Sequence, residues 1–154
     1  MGDLLTIPAT VATSVSALVG RSVVDAEGVS CGWVQEFAVD LSKDQMHVAA
    51  LVLHQRVKGK LIKSLLPVAE VVWPEVKDAP LRTMAVPEPY NEQHEFLLLD
   101  YDLLDQQIID VDGRKVVRVN DVNLAWELGD RYGETAGLRI VDVEVGNRVL
   151  CDGC

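Results

Sequence analysis

Aromatic side chains make up only 5% of this 154-residue chain. With so few large rings, a core has to be filled by Val, Leu, Ile and Ala. Hydrophobic residues, at 49%, are abundant enough to do it. Val is a strand former, because its branched Cβ suits a pleated, half-buried surface. Basic runs are also lacking. Fourteen Lys and Arg face 24 Asp and Glu, for a net charge of −10. Phosphate-backbone binding grows with clustered cations. The two densest stretches, RVKGKLIK (Arg56–Lys63) and DGRKVVR (Asp112–Arg118), mix bases with apolar residues as solvated strand faces do. Direct nucleic-acid contact is disfavoured. No apolar run approaches the roughly 20 residues that cross a bilayer. Pro8–Gly20 imitates a signal peptide, but Asp3 is the only charge ahead of it and no basic region is present. A cytoplasmic chain without membrane insertion is expected. The three cysteines, Cys31, Cys151 and Cys154, form an odd total without framework spacing, which suits the same compartment.

Catalytic constellations are missing too. There is no Gly-rich phosphate loop and no G-x-S-x-G elbow. His47 and His54 are seven residues apart on an expected strand, so they point to opposite faces, and His94 lies elsewhere. Asp100, Asp102, Asp105, Asp110 and Asp112 form an acid-rich stretch, but no frame supplies the positions of a calcium loop and its distal Glu. A turn explains DVDG (Asp110–Gly113) more simply, and weak, water-mediated Mg²⁺ contact stays open. CDGC (Cys151–Cys154) is half of a four-ligand zinc set with no second pair. It reads as an unpaired tail, or as half of a zinc site shared between two chains. No catalytic, cofactor-binding or metal-ligating residue is assigned, and no cofactor is expected.

What the chain does have is a pattern that occurs twice. VVDAEGVS (Val23–Ser30) returns as IIDVDGRK (Ile108–Lys115) at an offset of 85 residues. Along that offset Asp25 meets Asp110, Gly28 meets Gly113, Val34 meets Val119, Glu36 meets Asp121 and Phe37 meets Val122, without a gap. The expected class is all-β (mainly β): two small β-barrels in tandem, packed together because each alone has a thin core. The divisions are a lead-in at 1–16, a first domain at 17–73, a Pro-rich linker at 74–95, a second domain at 96–150 and a C-terminal tail at 151–154. Within them, Met46–Gln55 and Lys115–Leu128 read as long strands, and Phe96–Gln107 as a helix or a strand followed by a helical turn.

LVGRSVVDAEGVSCGWVQEFAVDL (Leu18–Leu41) resembles the opening of a PRC-barrel domain. DLLDQQIIDVDGRKVVRVNDVNL (Asp102–Leu124) and LRIVDVEVG (Leu138–Gly146) are similar to the N-terminal PRC-barrel region of bacterial MgtE-type magnesium transporter proteins. The likeness covers about Leu18 to Gly146. It implies two PRC-type barrels and a non-enzymatic adaptor or regulatory module. Such a module acts by protein–protein contact, linked to magnesium or other membrane transport and peripheral to the membrane through a partner. The alternatives are a ribosome- or RNA-processing-associated factor of the maturation-factor type, and a metal-binding protein. Two departures matter. No membrane-spanning or nucleotide-sensing region is present, so the chain is expected to be at most the soluble front end of such a protein or a free-standing relative. The second copy also ends early. LLPVAEVVW (Leu65–Trp73) closes the first copy, and the second copy has no counterpart. An uncovered strand edge and a homodimer are expected from that.

Overall fold

Alternation of apolar and polar residues, broken by Gly and Asp, produces strands of very unequal length. The computed structural model describes residues 9–72, 79–92, 95–110, 115–130 and 134–146. In order, the strands are β1 (Thr10–Ser14), β2 (Ser22–Val24), β3 (Ser30–Val39), β4 (Ala50–Val57), β5 (Lys60–Pro67) and β6 (Val71–Val72). They continue as β7 (Leu81–Thr83), β8 (Glu88–Pro89), β9 (Leu97–Leu98), β10 (Gln107–Asp110), β11 (Lys115–Leu128) and β12 (Thr135–Gly146). One helical turn, α1 (Val15–Leu18), follows β1, a π-helical turn (Leu99–Leu103) follows β9, and a 3-10 turn (Val68–Glu70) follows β5. The chain is all-β. No helix among the described residues is long and apolar enough to cross a membrane.

The strands lie in two sheets. The larger runs β6-β7-β2-β3-β4-β5-β8, with β9 added on β3. The smaller is built on β11. There β12 runs along one edge, and β10 and β1 pair with opposite ends of the same strand. Neither strand order returns to its starting strand, so among the described residues the sheets are open and bent, not closed into the expected barrels. Bulges interrupt the ladders at Val34/Glu36 and Val119/Asp121, and such bulges bend a sheet sharply.

Backbone geometry repeats along the offset noted above. The Gly20 N–H donates to the Val34 carbonyl at 2.7 Å, and the Asp105 N–H donates to the Val119 carbonyl at 2.9 Å. The Val34 N–H returns to the Arg21 carbonyl at 2.9 Å, as the Val119 N–H does to the Gln106 carbonyl at 3.0 Å. Ser22 pairs with Trp33 and Gln107 with Arg118; Val23 pairs with Gly32 and Ile108 with Val117. Gly20 has φ of 88° and Asp105 has φ of 63°. The second turn therefore puts an Asp in a left-handed conformation that Gly adopts freely. The turn containing Gly113 lies outside the described residues.

The halves exchange their entry segments. β1 pairs with β11 through Thr10↔Glu127 to Ser14↔Asn123. β9 pairs with β3 through Ala38↔Leu98 and Val39↔Leu97. Each helical turn is thus delivered to the far half by the short strand before it. Residues 10–14, part of the expected lead-in, are a strand because β11 offers them an edge. The expected linker also contributes: β7 pairs in parallel with β2 and antiparallel with β6, burying Leu81 and Thr83. β8 adds to β5, with Pro89 at the sheet margin where a missing N–H is tolerated. One apolar cluster joins both halves: Val34, Phe37, Leu51, Leu53, Leu66 and Leu81 meet Leu99, Val122, Leu124 and Leu138. Each fully buried side chain of this size contributes about 1.5–3 kcal/mol.

Candidate functional site: carboxylate caps and an open sheet edge

The histidines do not come together. His54 sits on β4 with its ring 6.1 Å from that of Trp33, edge to face. Burial, and then the charge of Lys63, push its pKa below the ordinary value. His47, expected on the same strand, precedes it. The Asp44 side chain accepts the Met46 N–H at 2.9 Å and turns the chain there. The Met46 carbonyl then accepts from the Ile140 N–H, and the Val48 N–H donates to the Leu138 carbonyl, so this segment pairs with the start of β12. The His47 ring lies between two carboxylates, with Nδ1 2.9 Å from Asp44 and Nε2 2.9 Å from Glu127. Arg139 Nε reaches the other Glu127 oxygen at 3.3 Å. Both ring nitrogens are within hydrogen-bond distance of a carboxylate. The cluster pins the 44–48 loop to β11. A shallow hollow of about 360 Å³ beside it is lined mainly by Val48, Ala49, Val68, Ala69, Ala136 and Gly137.

Of the acid-rich stretch, Asp100, Asp102 and Asp105 form no shared ligand group among the described residues. The Asp102 carboxylate accepts the Leu98 N–H at 2.7 Å and closes its own turn. Asp100 has its pKa raised by burial and by Asp105. Asp112 lies outside the described residues, as do His94, Cys151 and Cys154. No group of three metal-ligating side chains occurs among the described residues. Cys31, on β3, has its thiol pKa raised by burial and by Asp25, which disfavours the reactive thiolate. A hollow of about 690 Å³ is bordered by Asp40, Leu41, Ser42, Glu95, Phe96, Leu97 and Asp102. Asp40 there is engaged by the Ser42 N–H and hydroxyl.

Two acids that composition did not single out do structural work. Glu36 and Asp121 stand at the two bulges, in register with one another. Glu36 Oε1 accepts the Phe37 N–H at 3.1 Å and the Asp100 N–H at 2.9 Å, and Oε2 accepts the Tyr101 N–H at 2.7 Å. Asp121 Oδ1 accepts the Val122 N–H at 2.9 Å and the Ser16 N–H at 3.0 Å, and the Ser16 hydroxyl donates to Oδ2. Each carboxylate satisfies orphan donors at the start of a helical turn. Burial raises the Glu36 pKa, and the backbone N–H groups only partly offset it. At Asp121 burial pulls the same way, but the Ser16 hydroxyl and N–H outweigh it and hold the carboxyl below its ordinary range. The only sequence signal was the alignment of the two acids.

The far half of β12 is an exposed strand surface. Its sequence VDVEV (Val141–Val145) alternates strictly. Val143 lies opposite Val122 and Val145 opposite Val119, so both valines share a face with buried residues. Counted from the equivalent bulge, their counterparts on β4 are Leu51, opposite Phe37, and Leu53, opposite Val34. Leu51 and Leu53 are 0% exposed, and β5 lies over their edge. Val143 and Val145 are 40% and 42% exposed. Among the described residues, no strand pairs with the outer edge of β12 beyond Ile140. Asp142 and Glu144 occupy the opposite face, and Glu144 stands directly across from Asp121.

No protein-family model matches this chain, and no curated protein is similar enough to it to count as a match.

Proposed function

We propose that this chain is a non-enzymatic adaptor or regulatory module of the PRC-barrel type. In this reading it is two copies of one small β unit, it resides in the cytoplasm, and it docks a protein partner belonging to a membrane transport system. The observation that carries the binding role is the uncovered edge of β12, where Val143 and Val145 extend a core face into solvent. An edge with free N–H and C=O groups beside an apolar stripe is what strand-adding partners use. The PRC-barrel character and the transport link rest on the likeness of Leu18–Leu41 and Asp102–Leu124 to that family.

The test is photo-crosslinking in the native cells. A benzophenone amino acid at position 143 is expected to give a discrete adduct, and the same group at Lys58, in the tight turn between β4 and β5, none. Mass spectrometry of the adduct then names the partner. Equal adducts at both positions would remove the edge as a docking surface. A soluble enzyme in the adduct, rather than a transport component, would remove the transport link.

A further inference from the structure

We propose that the outer edge of β12 takes up an extended segment of a partner protein in which apolar residues alternate with Lys or Arg. The inference rests on the binding role above and adds the partner's chemistry. In the first half, β5 lies antiparallel along β4, with Leu66 opposite Leu51 and Ser64 opposite Leu53. The equivalent edge in the second half presents Val143 and Val145 on the core side. An arriving strand with apolar residues at alternate positions covers them as β5 covers Leu51 and Leu53.

The other face fixes the charge. Positions equivalent to Asp142 and Glu144 are Ala50 and Val52 on β4, both buried. Here they are acids on an exposed surface. Glu144 faces Asp121 across the ladder, and like charges directly opposite one another destabilise a strand pair. Arg118, further along the same strand, makes no ion pair with either acid among the described residues. Asp142 accepts from the Asn123 side-chain amide at 2.7 Å, and neither acid has a cation across the ladder; Lys or Arg on the arriving strand, opposite Asp142 and Glu144, supplies it. The same acids work against β12 pairing with a second copy of itself. A two-fold through this strand sets Asp142 and Glu144 against their own equivalents. The net charge of −10 steers basic segments toward the chain and acidic ones away.

The probe is a fluorescein-labelled, end-capped peptide, Lys-Val-Lys-Val-Lys-Val-Lys, titrated into the full chain and read by fluorescence polarisation. Controls are the same residues in clustered order, and the Glu-Val alternating peptide. Saturable binding of the alternating basic peptide is expected, with weaker binding of the clustered one. The double variant Asp142→Lys/Glu144→Lys, checked for fold by circular dichroism, is expected to lose about tenfold in affinity through two opposite-charge pairs. It is also expected to gain the Glu-Val peptide. Equal affinity for alternating and clustered peptides, or indifference to the charge reversal, overturns the proposal. So does a wild-type dimer in light scattering that the peptide dissociates, since the edge is then filled by a second copy. So does peptide binding that appears only after removal of residues 147–154. An adduct at position 143 together with failed peptide discrimination leaves the adaptor role standing and removes only the basic partner.

Discussion

Glu36 and Asp121 hold the same position at the two sheet bulges, and each carboxylate caps the helical turn of the opposite half. The two are not energetically alike. Glu36 is buried and serves three backbone N–H groups, whereas Asp121 is only part-buried and shares its load with a hydroxyl. Glu36→Ala leaves the Asp100 and Tyr101 N–H groups without an acceptor in a part-buried site. It is expected to cost about 2–4 kcal/mol. Asp121→Ala is expected to cost about 1–2 kcal/mol, the range of a lost helix cap. Urea unfolding of the two variants checks the order; equal losses would contradict it.

The same pair separates by pH. The folded-state pKa of Glu36 is raised above its ordinary value of 4.5, so the folded chain binds its proton more tightly than the unfolded one. Its contribution is fully present below that ordinary value and is lost as pH rises through the folded pKa. Asp121 is lowered below 3.8, so its contribution is present above that value and is lost as pH falls through the folded pKa. Glu36→Gln is therefore expected to flatten the fall in stability on the alkaline side of 4.5. Asp121→Asn is expected to flatten the fall on the acid side of 3.8. Unfolding free energies measured across the acid range decide it; interchange of the two effects would refute the assignment.

Gly32 is a different kind of constraint. Its φ is 115°, and a Cβ placed there would collide with the His54 backbone oxygen. Gly28, with φ of 85°, has open space around it. Gly32→Ala is expected to lose about 3 kcal/mol or more, through steric conflict added to backbone strain. Gly28→Ala is expected to lose about 1 kcal/mol from strain alone. Thermal melts of the two variants give the comparison directly.

His47 ties the loop before β4 to the second half through Glu127. A double-mutant cycle of His47→Ala and Glu127→Gln is expected to show a coupling of about 0.5–1 kcal/mol, reduced by salt. A coupling indistinguishable from zero at low salt would make the contact incidental.

How much of this was legible in the sequence differs by element. The long strands β3 and β11, of ten and fourteen residues, alternate apolar and polar residues on either side of a bulge, so they were readable. The pairing of Glu36 with Asp121 was readable as an alignment, because the apolar positions around them do not slip. β1 was not, since TVATS has no burial pattern of its own and becomes a strand only against β11, more than a hundred residues away. β7 and β8 hid inside a proline-rich stretch because two or three residues are too few to show a period. What the two carboxylates hold could not be read at all: their partners, Asp100, Tyr101 and Ser16, lie far away in sequence. The edge of β12 has no pairing strand beyond Ile140 among the described residues, and the acids along it needed the register to be seen.

Leu53 and Val145 are the sharpest test of that edge. They occupy equivalent positions, Leu53 opposite Val34 and Val145 opposite Val119. If burial alone governs their roles, truncation must have opposite consequences. Leu53 is 0% exposed beneath β5, so Leu53→Ala opens a cavity and is expected to cost about 2–5 kcal/mol. Val145 is 42% exposed, so Val145→Ala removes little buried surface and is expected to stay within about 0.5 kcal/mol of the parent. The loss at Val145 is expected to emerge only on binding, as weaker capture of the strand that covers it, because that strand then buries a methyl-bearing surface less completely. Paired chemical denaturation and peptide titration of the two variants measure both sides. A Val145→Ala variant as unstable as Leu53→Ala would mean that the edge is already covered in the free chain, and that no partner strand is needed to complete the second half.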